Sequence, residues 1–251
     1  MKLTIRPLCL GIMEGVEKSS FTYLQNYGKK IDAATVMWYI DGTKEKILVD
    51  TGPSDVGWAL KYHHPLRRNR DEHPHSALAK LGLKTEDIDI VICTHLHWDH
   101  SYNNDLFKNA RIIVQQEEMR YAIAPLPIHG IYYESQLIGM APPFLRTIEK
   151  YEIIVGDKEI TKGVSVIFLP GHTLGMQGVA VETQKGIYLI ASDLVPLFEN
   201  WNGYPPYQHH IPPGIHVDIR QCYESFHKVE QLASHVLPGH DVKILDKIRY
   251  P

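Results

Sequence analysis

The stretch Thr94-His95-Leu96-His97-Trp98-Asp99-His100 gathers four side chains able to bind a metal, His95, His97, Asp99 and His100, into six residues. It directly follows the apolar run from Ile88 to Cys93, whose β-branched Ile90, Val91 and Ile92 read as a buried strand. The four groups therefore stand on the loop at a strand's end, where a rigid sheet can hold a reactive site. Neutral imidazoles and a carboxylate suit zinc or another divalent first-row metal. One cation would use two or three of them, and a second cation would take the others. The plain alternative is a loop of solvated histidines, and the rest of the chain speaks against it.

Three more predicted strands end on a potential ligand. Residues 164–169 run into Pro170-Gly171-His172-Thr173, a hairpin over 177–182 and 186–190 ends at Ser192-Asp193, and 235–237 runs into Pro238-Gly239-His240-Asp241. In the two Pro-Gly-His turns the glycine lets the backbone bend sharply, so that the ring can face inward. A single histidine at a strand end is ordinarily structural, but three such ends beside a four-ligand cluster form a set. One ion would take His95, His97 and His172, a second would take Asp99, His100 and His240, and Asp193, with two oxygens, would bridge them. Asp50, at the end of Lys46-Ile47-Leu48-Val49, either orients a ligand loop from behind or is a turn aspartate bonded to nearby backbone.

Strands are also expected over 3–12, 34–40, 111–114 and 151–155, and helices over 75–80, 115–122 and 217–233, the last with an apolar stripe of Val217, Cys222, Phe226, Val229 and Leu232. Residues 55–75, with His63-His64-Pro65 and Arg67-Arg68-Asn69-Arg70, read as a solvated loop, or else as a cationic lid for an anionic substrate. Residues 124–150 and 194–214 are irregular and aromatic; the first reads as a flap over a cleft or as a packed connector. From them Phe144, Trp201, Tyr204 and Tyr207 are the expected substrate contacts. No linker divides the chain, so residues 1–251 are expected to form one domain.

Composition sets the outer bounds. Of 251 residues 44% are hydrophobic and 22% charged, and the net charge of −3 gives no basic field for nucleic acid. No apolar run approaches the roughly 20 residues of a membrane span, and the N-terminus has no secretion-signal pattern. Cys9, Cys93 and Cys222 are far apart and odd in number, which points to a reducing cytoplasm. Fifteen histidines are many for this length, the one compositional hint of metal chemistry.

His-x-His-x-Asp-His, then Pro-Gly-His-Thr, Ser-Asp and Pro-Gly-His, with Asp50-Thr51-Gly52 upstream, resembles the metallo-β-lactamase superfamily. The resemblance covers nearly the whole chain and all seven positions of its dinuclear pattern. It implies an α+β fold, an αββα sandwich of two mixed sheets packed face to face with helices outside and the metals at one edge. Because one fold carries many chemistries, the departures decide the substrate class. True metallo-β-lactamases lack a bridging aspartate at the position of Asp193. Diiron flavoproteins carry Glu where this chain has His97, so zinc is expected before iron, manganese or cobalt. Glyoxalase II enzymes carry a helical region beyond the last histidine, where only 11 residues follow His240 here.

The Leu81-Gly82-Leu83 and Asp87-Ile88-Asp89 run looks most like the N-acyl homoserine lactonase group of quorum-quenching hydrolases. In that group a Tyr three residues after the bridging Asp contacts substrate; Pro196 stands there in this chain, leaving Tyr204 or Tyr207 to substitute. The resemblance implies a hydroxide shared by two divalent ions attacking the lactone carbonyl, with Asp99 passing the proton to the leaving oxygen. A small lactone or ester is thus the expected partner, met by a monomer or homodimer. The rival expectations are another ester, thioester, cyclic amide or phosphodiester hydrolase on the same metals, and a non-catalytic metal-binding protein.

Overall fold

The computed structural model describes residues 3–251. Its strands are β1 (Thr4–Glu17), β2 (Lys30–Asp41), β3 (Ile47–Val49), β4 (Leu66–Arg67), β5 (Ile90–Ile92), β6 (Arg111–Gln115), β7 (Tyr151–Ile154), β8 (Lys158–Thr161), β9 (Val164–Phe168), β10 (Gln177–Thr183), β11 (Gly186–Ser192) and β12 (His235–Pro238). Its α-helices are α1 (Val56–Tyr62), α2 (Pro74–Ala79), α3 (Trp98–Ser101), α4 (Gln116–Ile123), α5 (Phe198–Asn202) and α6 (Ile219–Leu232).

The strands form a seven-stranded sheet in the order β4-β1-β2-β3-β5-β6-β7 and a five-stranded sheet in the order β12-β11-β10-β9-β8. Both are mixed: β3, β5, β6 and β7 run parallel and β1, β2, β3 antiparallel, while β11 and β12 are the one parallel pair of the second sheet.

Alternation along the strands creates the layers. Ile90 and Ile92 of β5 join Ile47, Val49 and Ile113 in the core between the sheets, where Val179 and Val181 of β10 meet them. Val91, Leu48, Ile112 and Val114 point the other way, into a second core closed by Leu78 of α2 and Met119 and Ala122 of α4. On the far side of the five-stranded sheet, Ala180 and Leu189 pack against Cys222, Phe226 and Val229 of α6. The arrangement is helix, sheet, sheet, helix. Burying each Ile or Val stabilises it by about 1.5–3 kcal/mol against the unfolded chain.

Two expectations need correction, and one strand has no counterpart among them. β1 runs on to Glu17, past two register shifts where Leu10 and the residues between Met13 and Val16 bulge. Residues 55–75 are not a solvated loop. Asp55 caps α1 by accepting a bond from the Trp58 amide at 3.0 Å, and the His63 side chain is only 2% exposed. The arginines there do not form a lid either: Arg67 pairs with Glu14 at 2.8 Å, and Arg68 donates to the Leu10 carbonyl at 2.7 Å. Finally β8, Lys-Glu-Ile-Thr, has no apolar run to announce it, because it is a charged edge strand. Among the described residues no helix is long and apolar enough to cross a membrane.

Candidate metal centre

The loop after β5 owes its shape to Asp50. This residue ends β3 with a left-handed φ of +59°, a strained backbone for a non-glycine residue. Its carboxylate accepts from the Thr94 amide at 2.7 Å and the Thr94 hydroxyl at 2.8 Å, and from His100 Nδ1 at 2.8 Å. Asp50 thus fixes the start of the histidine loop and the tautomer of its last histidine, the orienting role considered for it from sequence. α3 begins directly after His97, which brings Asp99 and His100 round to the same cleft.

The remaining loops come from the five-stranded sheet. Gly171, at φ +142°, passes so close to α6 that an added Cβ would lie 2.6 Å from the Cys222 amide nitrogen. His172 donates Nδ1 to the Ile215 carbonyl at 2.7 Å, and His240 donates Nδ1 to the Ala34 carbonyl at 2.8 Å. Ser192, at φ +46°, turns Asp193 inward, and Gly239 lies beneath that carboxylate with no room for a side chain. On the other face, buried Glu118 accepts from the Leu96 amide at 2.8 Å, from Tyr133 at 2.9 Å and from the Thr173 hydroxyl, which ties the two loops together.

These supports bring all seven sequence-predicted donors together. The donor atoms of His95, His97 and His172 lie within 4.8 Å of one another, as do those of Asp99, His100 and His240, and those of His95, His100 and Asp193. Asp193 stands between the groups, with Oδ1 3.1 Å from His240 Nε2 and 3.3 Å from His100 Nε2, and Oδ2 3.5 Å from His172 Nε2. With Nδ1 engaged behind them, His100, His172 and His240 each turn Nε2 into the cluster; His172 Nε2 and His97 Nδ1 face each other at 3.1 Å.

His95 Nε2 is buried with no hydrogen-bond partner among the described residues. An orphaned, buried nitrogen and imidazole lone pairs facing each other are costly by themselves and are what a cation would satisfy. The donor set, five imidazoles and two carboxylates, fits a pair of divalent ions.

Electrostatics follow the same division. Burial pushes the His95, His97 and His172 imidazoles below their ordinary range, so they stay neutral with lone pairs free. At His100 burial acts in the same direction, but the carboxylates of Asp193, Asp99 and Asp50 outweigh it and raise the ring well above that range. Burial likewise opposes ionisation of Asp193, yet His240, His100 and His172 hold it well below the usual carboxylate range.

The four expected substrate contacts lie elsewhere. Phe144 is fully buried in the core between the seven-stranded sheet and its helices. Trp201 stacks on His210 at 4.4 Å and packs on α6. The Tyr204 hydroxyl donates to Glu199 at 2.6 Å at the surface, and Tyr207 is 95% exposed. Aromatic character in an irregular segment marks packing as readily as binding. The cleft is lined instead by Met13, Val16, Phe21, Trp98 and Ile215 on its apolar side, with His64 and Tyr132 as polar groups beside the cluster. Both polar residues sit in segments whose composition drew notice, but only the fold singles them out.

An αββα sandwich with clustered His and Asp donors at the strand ends defines a metal-dependent hydrolase scaffold. The sequence matches the model of the metallo-β-lactamase superfamily over residues 32–240, and the chain belongs to that superfamily. It is 35% identical over 238 residues to an N-acyl homoserine lactonase of Bacillus cereus, covering 91% of this chain and 89% of that protein. It is 30% identical over 199 residues to the N-acyl homoserine lactonase AttM of Azorhizobium caulinodans, covering 76% and 69%. The fold is similar to that of the B. thuringiensis protein AiiA solved with N-decanoyl-L-homoserine at its active site, with a TM-score of 0.74 at 24% identity over 98% of this chain and 95% of that one. It is also similar to AidC, a dizinc quorum-quenching lactonase, with a TM-score of 0.69 at 19% identity over 96% and 88%.

Proposed function

We propose that the chain acts as one hydrolase domain that opens N-acyl homoserine lactones, or closely similar uncharged lactones, with two divalent ions, expected to be zinc. One observation carries this reading: Asp193 lies within 3.5 Å of His172 from one donor group and of His100 and His240 from the other, in a cleft that has an apolar wall and, among its lining residues, no lysine or arginine. The lactonases that the chain resembles at 30–35% identity support the same substrate class. A cleft without a fixed cation disfavours the phosphodiester alternative, because it offers an anionic substrate no charge beyond that of the metals.

His95, His97 and His172 would hold one ion, Asp99, His100 and His240 the other, and Asp193 both. Bound there, the pair would supply an activated water at neutral pH and a Lewis acid for the carbonyl. The chain's own contribution is orientation and proton movement. Asp99 is the most exposed of the seven donors, its side chain 12% exposed, and its Oδ2 lies 3.7 Å from His240 Nε2. That leaves its other oxygen to hold a proton and pass it to the ring oxygen as the ester bond breaks. Met13, Val16, Phe21 and Ile215 would receive the acyl chain and keep water from it. Three free cysteines agree with a cytoplasmic setting.

Removing metal with a chelator is expected to abolish opening of N-hexanoyl homoserine lactone, and two equivalents of zinc to restore it. Full activity of metal-free protein would overturn the reading.

A further inference from the structure

Three polar side chains of the cleft have no place in the metal cluster; one, the Ser20 hydroxyl, is spent on the Glu17 carbonyl at 2.6 Å, and two are not. Among the described residues neither the Tyr132 hydroxyl nor the His64 ring hydrogen-bonds to another protein group, although both line the cleft with Asp99, His97 and His240. The Tyr132 ring lies against that of His97, with centroids 5.3 Å apart. A phenol offers one hydroxyl donor to a bound molecule. Burial lowers the His64 ring below 6.5, so it is uncharged at neutral pH. Two neutral donors suit carbonyl oxygens rather than an anion.

Both are brought to the cleft by one buried node. His63 Nε2 bonds Glu134 Oε1 at 2.9 Å, and the same oxygen accepts from Trp58 Nε1 of α1 at 2.6 Å. The His63 ring stacks on Trp98 at 4.0 Å and 4°. The Trp98 amide in turn donates to the Tyr132 carbonyl at 2.8 Å. Glu134 is fully buried, has a left-handed φ of +49°, and leaves Oε2 without a partner. A strained, half-satisfied carboxylate is costly. Here it joins the segment carrying His64 to the segment carrying Tyr132.

Building on the lactonase reading, we propose that Tyr132 and His64 contact the substrate, donating hydrogen bonds to the carbonyl oxygens of an uncharged acyl lactone, and that Glu134 is the positioning residue that holds both. Tyr132, beside His97, serves the reacting carbonyl. His64, toward Asp99 and His240, serves the second polar group of the substrate.

The test compares zinc-loaded wild type with Tyr132→Phe, His64→Leu and Glu134→Gln at equal metal content. It measures kcat and KM on N-hexanoyl homoserine lactone and on p-nitrophenyl acetate, and the calorimetric Kd for ring-opened N-hexanoyl homoserine. Tyr132→Phe is expected to lower kcat by about 100–1,000-fold, as for a lost transition-state donor. His64→Leu is expected to raise KM on the lactone and the product Kd several-fold while sparing the ester, which lacks a second carbonyl group. Glu134→Gln should lower kcat and raise KM on the lactone, less than additively when combined with Tyr132→Phe. Should Glu134→Gln fail to fold, Trp58→Phe, which removes one donor to Glu134 and keeps an aromatic ring, replaces it. If Tyr132→Phe and His64→Leu match wild type in kcat, KM and product Kd, the assignment is wrong. A wild-type protein that leaves the lactone closed would instead refute the lactonase reading, while the ester rates and product affinities would still decide the two side chains.

Discussion

Asp193 meets imidazoles delivered by three separate loops, and no other carboxylate in the cleft lies within 3.5 Å of as many of them. If both ions share it, Asp193→Ala removes a ligand from each. Metal content is then expected to fall from about two ions per chain, read by elemental analysis after gel filtration; unchanged stoichiometry would place the bridge elsewhere. All seven donors were legible one residue at a time, because each follows an apolar strand and His, Asp and Pro-Gly-His are conspicuous there. Asp50 was half legible: its place at a strand end could be read, but its grip on Thr94 and His100 depends on β3 and β5 lying side by side. Glu118 and Glu134 left no local mark. Each is one acid in an ordinary helix or turn, and each acquires its role from residues distant in the chain, Leu96, Tyr133 and Thr173 for one and Trp58 and His63 for the other.

The element that sets His172 is the turn after β9, pressed against the first turn of α6. Gly171 sits there at φ +142° with Cys222 filling the space a side chain would need. Gly171→Ala therefore carries both a backbone strain and a steric one, together about 2–4 kcal/mol. That corresponds to a lower melting temperature on the order of 10 °C for a chain of this length, with a weaker hold on metal. An unchanged melting curve would show that α6 can retreat at little cost. Among elements, the long apolar strands and amphipathic α6 could be read from periodicity. α1 could not, since its Trp58, Leu60 and Tyr62 lie among histidines and a proline that favour loop. The aromatic segments misled for a related reason: composition says that rings will be buried, and does not say whether in a core or in a cleft.

At the scale of the molecule, His95, His97, Asp99 and His100 belong to the seven-stranded sheet, and His172, Asp193 and His240 to the five-stranded one. Metal binding is therefore expected to raise stability as well as activity, by about 4 kcal/mol at a thousandfold excess over Kd. Calorimetry with and without zinc measures it, and coincident melting of the two forms would count against a cation shared between sheets. The layered fold was legible from alternation and from the resemblance together. The cleft walls were not, because they are assembled from β1, the 63–64 turn, the 131–134 turn and the Ile215 loop, which meet only in three dimensions.

The chain passes from one sheet to the other once between the two donor sets, at Val155-Gly156-Asp157, between β7 and β8. Cut there, it yields two pieces, each bearing an incomplete set of donors and one exposed sheet face. Neither piece would carry all seven donors, and each would need the other to bury its apolar surface. If the seven donors hold metal together, the cut molecule would act as a split reporter, in which metal-ion concentration would govern whether two polypeptides reunite.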